Sequence, residues 1–196
     1  MILTLLRERT RPLHDRVAGR LDVLSHTRSL DRYQYLLQRL YGLYVPMEQV
    51  LVPMTAGSRI PGIDYRERRK APHIAHDLRA IAKQVRLEEL PLCSSLPPLN
   101  TPEQIVGCLY VLESATLEGQ VISRQLRESL GIAAEDGAAF YSGYGSETGR
   151  QWKAFGAAAT VFAATCPSYE PILASACATL ECFEQWFLPL QQTIYR

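Results

Sequence analysis

The sequence has almost no excess of charge of either sign. Its 196 residues include 21 lysines and arginines against 20 aspartates and glutamates, which leaves a formal net charge of +1. Proteins that are drawn to nucleic acid or to an acidic membrane surface by their overall field carry a marked positive excess. The balance therefore argues against either partner, and a charged ligand would have to be recognised locally.

Long uncharged hydrophobic runs are also missing. The first fifteen residues, MILTLLRERTRPLHD, become charged too early and have too short an apolar part for a signal peptide. No uncharged run of 18 residues follows, as a membrane span would require. We therefore expect a soluble, cytoplasmic protein that does not enter a membrane.

Metal-binding patterns built from cysteine, histidine and glutamate are absent or incomplete. The five cysteines are odd in number and include no Cys-x-x-Cys pair, so neither a disulfide framework nor a zinc site is predicted. His73 and His76 share one helical face, but a structural zinc ion needs four ligands. No Glu-x-x-His occurs, which argues against a di-iron helical bundle.

Strand-like alternation of apolar and polar residues is not found, whereas helical periodicity extends through most of the chain. These patterns predict an all-α fold of about six helices in a single domain, residues 1–196. The connector Leu87–Asn100 contains three prolines and is predicted to be irregular. The helices are predicted from about Leu3 to Leu21, from Ser29 or Asp31 past Leu51, from Pro72, from Thr101 to about Leu130 with Gly131 as the stop, from Thr148 to Ala164, and from Pro167 to Leu188.

Two other motifs have ordinary explanations. The glycine-rich GYGSETG, residues 143–149, is not preceded by a strand, so it is interpreted as a turn before a helix and not as a dinucleotide loop. The basic RERRK, residues 66–70, is interpreted as a solvated face, with a docking patch for an acidic redox partner as the alternative.

The first predicted helix carries a histidine among apolar residues with basic residues nearby. Arg7, His14 and Leu21 are spaced by seven and lie in one stripe, and Arg11 lies one turn before the histidine. This pattern suits a flat ligand that takes a neutral nitrogen donor at its centre and has anionic groups at its edge. The alternative is a partly buried core histidine with ordinary solvated arginines.

The middle of the long predicted helix is unusually poor in large side chains. In YVLESATLEGQVI, residues 110–122, small residues stand where a buried helix usually carries leucine or isoleucine. An interior glycine weakens a helix by about 1 kcal/mol relative to alanine. Either something broad approaches the backbone here and the helix bends, or another helix packs closely against it. The candidate residues are Ser114, Glu118 and Gly119.

Taken together, these segments resemble the heme oxygenase family, and specifically the bacterial type found alongside bacterial phytochromes. The resemblance covers most of the chain. It is carried by LRERTRPLHDRV, LYGLYVPMEQVL, GCLYVLESATLEGQVISRQL and GAAFYSGYGSETGRQWKAFG.

The resemblance implies an all-α domain in which heme lies between a proximal and a glycine-bearing distal helix. His14 would be the axial ligand of the heme iron, Arg7 and Arg11 would face the heme propionates, and Lys153 would be a further basic contact. The stretch from Ser114 to Gly119 would form the distal wall. The implied reaction opens heme to biliverdin with dioxygen and external electrons from a ferredoxin or a reductase, releasing carbon monoxide and iron. A bacteriophytochrome would receive the product.

The chain departs from the family pattern at three positions. Ser114 and Glu118 stand where relatives often have glycine, and Ala18 stands where many have an acid that orients the proximal histidine. The Glu118 carboxylate could order water, coordinate iron or turn away. A heme or tetrapyrrole carrier without catalytic activity, or a helical interaction module without heme, are the alternative functions.

Overall fold

Helices make up the fold in this computed structural model, which describes residues 1–58 and 60–194; no strand occurs in that part of the chain. The predicted all-α class is confirmed. The predicted domain, 1–196, also includes Arg59, Tyr195 and Arg196, which lie outside the described residues. The helices are α1 Ile2–Leu21, α2 Val23–His26, α3 Leu30–Thr55, α4 Ala71–Ile81, α5 Pro102–Leu130, α6 Ala139–Ser142, α7 Thr148–Ala163 and α8 Glu170–Ile194.

The ends of α5 follow the predicted signals. The Thr101 hydroxyl accepts a hydrogen bond from the Gln104 backbone N–H at 3.3 Å, and the Gln104 side chain accepts one from the Thr101 N–H at 3.2 Å. This reciprocal cap satisfies two backbone donors that the first turn leaves free. At the other end Gly131 adopts the left-handed conformation, with φ 69°, and stops the helix.

The predicted start of the last helix at Pro167 is wrong. Pro167 lies in a bend, and α8 begins at Glu170. The hydroxyl of Ser168 accepts a hydrogen bond from the Glu170 backbone N–H at 3.1 Å, so a serine provides the start signal, and Pro171 occupies the first turn. The short helices α2 and α6 were not among the predicted elements.

Helix α8 forms the base of the fold because both α1 and α5 pack along it. At Gly107 of α5, an added Cβ would collide with the Ile172 carbonyl oxygen and the Ser175 side chain, so the two helices approach closely. Helices α1 and α5 have no comparable packing against each other. They are therefore two walls on a common base with a gap between them.

Helix α5 is also the one described helix that is long and apolar enough to cross a membrane by length and composition. In its apolar window 56% of the residues are buried inside the fold. This burial explains the apolar composition of α5, since a helix that is buried on several sides carries apolar residues on those sides.

The basic stretch RERRK is a solvated face only in part, since Arg66, Glu67 and Arg69 are exposed. Arg68 and Lys70 are buried, at 5% and 2% exposure. The Arg68 Nη1 atom lies 2.9 Å from Glu113 Oε2, and the Tyr144 hydroxyl donates to the other carboxylate oxygen at 2.9 Å. The interpretation as a solvated face is therefore wrong for Arg68, which balances the buried Glu113, and for Lys70, whereas the docking patch stays a prediction.

Candidate functional site

A cavity of about 440 Å³ lies between α1 and α5. This volume falls within the range of about 300–1,000 Å³ that is typical of small-molecule sites. Its surface is mainly apolar, and the side chains come from α1, α2, α3, α5, α6 and α8. The larger ones are Val17, Leu21, Val23, Leu24, Leu36, Leu40, Tyr44, Val111, Val121, Ile122, Phe140, Tyr141, Leu180, Phe183 and Phe187.

His14 stands on the α1 wall of this cavity, together with Val17 and Ala18. Its side chain is 38% exposed, so it lies where the cavity meets solvent. The Nε2 atom faces across the gap and lies 3.2 Å from Glu118 Oε1 on α5. This hydrogen bond raises the pKa of His14 above its usual value, although partial burial acts in the opposite direction.

Glu118 occupies the opposite wall. Its side chain is 59% exposed and its carboxylate is directed at His14. The carboxylate therefore faces the α1 wall, and its expected roles in ordering water or coordinating iron stay predictions. Without an acid at position 18, we expect the second ring nitrogen of His14 to find a water or an acceptor from another helix, but Glu118 meets Nε2, the nitrogen that faces the cavity. Ala18, which lines the cavity, offers no acceptor.

Gly119 is buried at the junction of α5 with α6. An added Cβ would lie 2.5 Å from the Tyr141 carbonyl oxygen. Close packing, the alternative explanation for small residues in α5, therefore holds at this position. Gly119 also lines the cavity, as do Ala115 and Thr116. The small residues of α5 therefore let α6 pack closely on one side of the helix and border the cavity on another.

Ser114 is not among the residues that line the cavity. It is half-buried, and its hydroxyl donates to the Val111 carbonyl oxygen at 3.0 Å. Thr116 makes the same kind of bond to Leu112 at 3.0 Å. Both hydroxyls are therefore bonded within α5, by a kind of hydrogen bond that often bends helices.

The three predicted basic residues are exposed and lie outside the cavity lining. Burial raises the pKa of the Tyr110 phenol, and the nearby Arg7 charge opposes this, so Arg7 lies close to that ring. The Tyr110 ring is 6.0 Å from the ring of Trp152, which precedes Lys153. The Arg7 charge therefore lies near one ring of this aromatic pair. Arg11 lies along its own helix, 3.9 Å from Asp15.

The inner end of the cavity was not predicted from the sequence. Tyr44 belongs to a periodic apolar run and was predicted only as part of a helix, whereas Phe140 and Tyr141 belong to a segment predicted as a loop. The rings of Phe140 and Tyr141 are 4.8 Å apart and edge to face, and Phe140 contacts Tyr44 in the same way at 5.4 Å. Burial raises the pKa of Tyr44 well above its usual value.

The side chains around the cavity suit a cofactor that already carries most of the atoms that bind its metal ion. Among residues 1–58 and 60–194, no three His, Cys, Asp or Glu side chains are grouped so as to hold a metal ion. A porphyrin already supplies four nitrogens to its iron and requires from the protein only an axial ligand. One imidazole on the wall of an apolar cavity meets that requirement.

Comparisons with known proteins agree with this geometry. The family profile described as heme oxygenase matches residues 1–189. Comparison with curated protein sequences gave no significant match.

Solved structures of bacterial heme oxygenases share the fold. The enzyme of Leptospira interrogans has a TM-score of 0.78 at 16% identity, covering 95% of this chain and 98% of that chain. The NO- and CO-bound enzyme of Neisseria meningitidis has a TM-score of 0.74 at 19% identity, with coverage of 100% and 92%. Heme oxygenase-1 of the cyanobacterium Synechocystis, in complex with heme, has a TM-score of 0.75 at 18% identity, with coverage of 99% and 94%. With the family profile matched over residues 1–189, the chain belongs to the heme oxygenase family and is an enzyme that opens heme.

Proposed function

We propose that this enzyme opens heme to biliverdin with dioxygen and external electrons, and that it releases carbon monoxide and iron. The observation that carries the proposal is the apolar cavity of about 440 Å³ with His14 on one wall and the thinned α5 on the other. Bound heme supplies both the iron that activates oxygen and the ring that is oxidised. The protein binds and orients the ring and limits the access of water.

His14 is proposed as the axial ligand of the heme iron. Neutral imidazole is a common ligand of heme iron. The support is that Nε2 is directed into the gap between α1 and α5 and belongs to a side chain that lines the cavity. Val17 and Ala18 on the same wall offer an apolar surface for the face of the ring.

Ser114, Glu118 and Gly119 are proposed to shape the distal side, where the reaction takes place. Gly119 presents backbone to the cavity. Ser114 acts through the hydrogen bond to its own helix, and Glu118 places a carboxylate at the cavity mouth. Because large side chains are missing, the ring and a small bound ligand could approach the α5 backbone closely.

Arg7, Arg11 and Lys153 are proposed to hold the heme propionates. All three are exposed cations, and the Arg7 charge lies near Tyr110, whose ring pairs with that of Trp152, the residue before Lys153. Pairing of a guanidinium with a carboxylate gives directional, charge-assisted hydrogen bonds. These contacts would set the rotation of the ring in the cavity.

The remaining proposals concern the setting of the reaction. Ring opening consumes electrons, and we propose a ferredoxin or a reductase as the external donor. A bacteriophytochrome is proposed to receive biliverdin, on the basis of the sequence resemblance. We further propose that residues 1–196 act as one heme oxygenase domain in the cytoplasm.

A hemin titration followed by turnover tests the proposed reaction. Purified protein is mixed with hemin, the Soret band is recorded, and a reductant is then supplied in the presence of dioxygen. We expect the Soret band to decay as the biliverdin spectrum appears. A Soret band that stays unchanged under these conditions would identify a carrier, and the lack of any band would identify a protein that does not bind heme.

A further inference from the structure

A contact between His14 and Glu118 crosses the gap between the two helical walls at the cavity. Helices α1 and α5 are each held by α8, and little direct packing joins them. The Nε2 atom of His14 and the Oε1 atom of Glu118 nevertheless lie 3.2 Å apart across this gap. The contact therefore spans the entrance of the cavity instead of belonging to a packed interface.

The contact uses the nitrogen that iron requires. A carboxylate accepts hydrogen bonds, so Nε2 must donate its proton to Glu118. One ring nitrogen cannot donate a proton to Glu118 and a lone pair to iron at the same time. The distance is also too short for a ring between the two groups, since non-bonded atoms need about 3.5 Å on each face of a flat ligand.

We propose that Glu118 competes with the heme iron for His14, so that heme binds by displacing this carboxylate from Nε2. This inference rests on the proposed role of His14. Glu118 is 59% exposed, so its side chain can turn into solvent without moving α5. A glycine at position 118, which is common in the family, has no group that could reach the imidazole. The competition therefore depends on the glutamate that this chain carries there.

The exposure of both partners limits the strength of the competition. Exposed ion pairs contribute little because water screens them. Removal of the carboxylate should therefore tighten hemin binding by at most about fivefold, and it should raise the association rate by a similar factor. A larger change would be expected only if α1 and α5 closed further around the pair.

The test compares Glu118→Ala and Glu118→Gln with the wild-type protein and with Glu128→Ala. Glu128 is a matched control, because it is a glutamate of the same helix with 64% exposure and no contact with His14. Hemin association is followed by the growth of the Soret band in a stopped-flow instrument. In protein without hemin, nitrogen-detected NMR reports on the four histidine rings.

We expect Glu118→Ala to bind hemin about two- to fivefold faster and more tightly, Glu118→Gln to be intermediate, and Glu128→Ala to match the wild type. One histidine ring, assigned to His14, should change its Nε2 signal in the Glu118 variants alone. If the wild type binds hemin but Glu118→Ala shows the same rate and unchanged ring signals, the competition is wrong and the proposed function stands. If neither the wild type nor any Glu118 variant takes up hemin, both proposals fail.

Discussion

His14 is a single imidazole whose position in the fold gives it a special role. It shares its helix with other polar residues, but it is the histidine that lines the cavity, whereas His73 and His76 are exposed on α4. The ring lies at the cavity mouth, is 38% exposed, and contacts the Glu118 carboxylate across the gap.

Replacement of His14 by alanine should remove the histidine-ligated character of the bound-heme spectrum. Hemin would still enter the apolar cavity, but its iron would lack the protein nitrogen. Optical and electron paramagnetic resonance spectra provide the measurement, and added imidazole should restore the original signature. His73→Ala is the control and should leave the spectra unchanged. An unaltered spectrum in His14→Ala would reject the assignment of the ligand.

Gly119→Ala should destabilise the protein by about 1–3 kcal/mol, because the new methyl group would lie 2.5 Å from the Tyr141 carbonyl oxygen and force α6 away. Gly19→Ala is the matched control, since no atom outside its own helix lies within 4 Å of an added Cβ. That variant should gain up to about 1 kcal/mol from helix propensity. Urea unfolding measures both. Equal stability of Gly119→Ala and the wild type would contradict the close approach of α5 and α6.

At the scale of secondary-structure elements, α5 is anchored on the side that faces away from the cavity. Glu113 is buried there, and Arg68 and Tyr144 contact its two carboxylate oxygens from segments on either side of α5 in the sequence. The thinned stretch begins at the next residue. These contacts at Glu113 therefore fix the position of α5 just before the residues that are proposed to form the distal wall.

Glu113→Ala should be strongly destabilising, by about 3–5 kcal/mol, because Arg68 would remain buried without its partner. The second substitution Arg68→Met should recover part of this loss, since it removes the uncompensated charge. Glu128→Ala, in which an exposed pair with Arg124 at 3.9 Å is lost, should change stability by less than about 1 kcal/mol. Chemical denaturation of the four proteins tests the scheme. A double variant as unstable as Glu113→Ala would show that the buried charge is not the cause.

The elements themselves were largely predictable, because their signals are local. The cap at Thr101, the stop at Gly131 and the apolar periodicity of α3 all depend on residues a few positions apart. The predicted start of α8 was wrong because several possible start signals lie close together in the sequence. Proline is common in the first turn of a helix, which favoured a start at Pro167. Ser168 and Pro171 lie nearby and provide the actual start of α8. Helix α6 is too short to show a period.

At the scale of the whole molecule, buried charge makes stability depend on pH. Lys70 is 2% exposed; within the described residues its Nζ atom has no hydrogen-bond acceptor and lies 3.5 Å from the centre of the Tyr144 ring. Burial is the main cause that lowers its pKa from 10.5 to about 8, and the charge of Glu113 partly offsets this.

The sign of this effect follows from proton binding. Between pH 8 and about 10.4 the unfolded chain keeps a proton on Lys70 that the folded chain has lost, so the free energy of unfolding rises with pH in this window. Relative to Lys70→Met, the wild type should gain roughly 2 kcal/mol between pH 7.5 and 10. Buried tyrosines titrate in both proteins and cancel. Urea unfolding at several pH values measures the difference, and a difference that is independent of pH would contradict the buried ammonium.

Through its resemblance to the family the sequence singled out His14 and Glu118 as candidate residues, and by itself it determined the helical class and most helix ends. Those properties depend on spacing along one helix or on short end signals, which a linear pattern records. The tertiary structure alone decided that Glu118 turns toward His14, that Gly119 admits α6, and that Arg68 and Lys70 are buried. Each of these depends on groups brought together from distant parts of the chain, so their charge and packing partners are fixed only when the helices assemble.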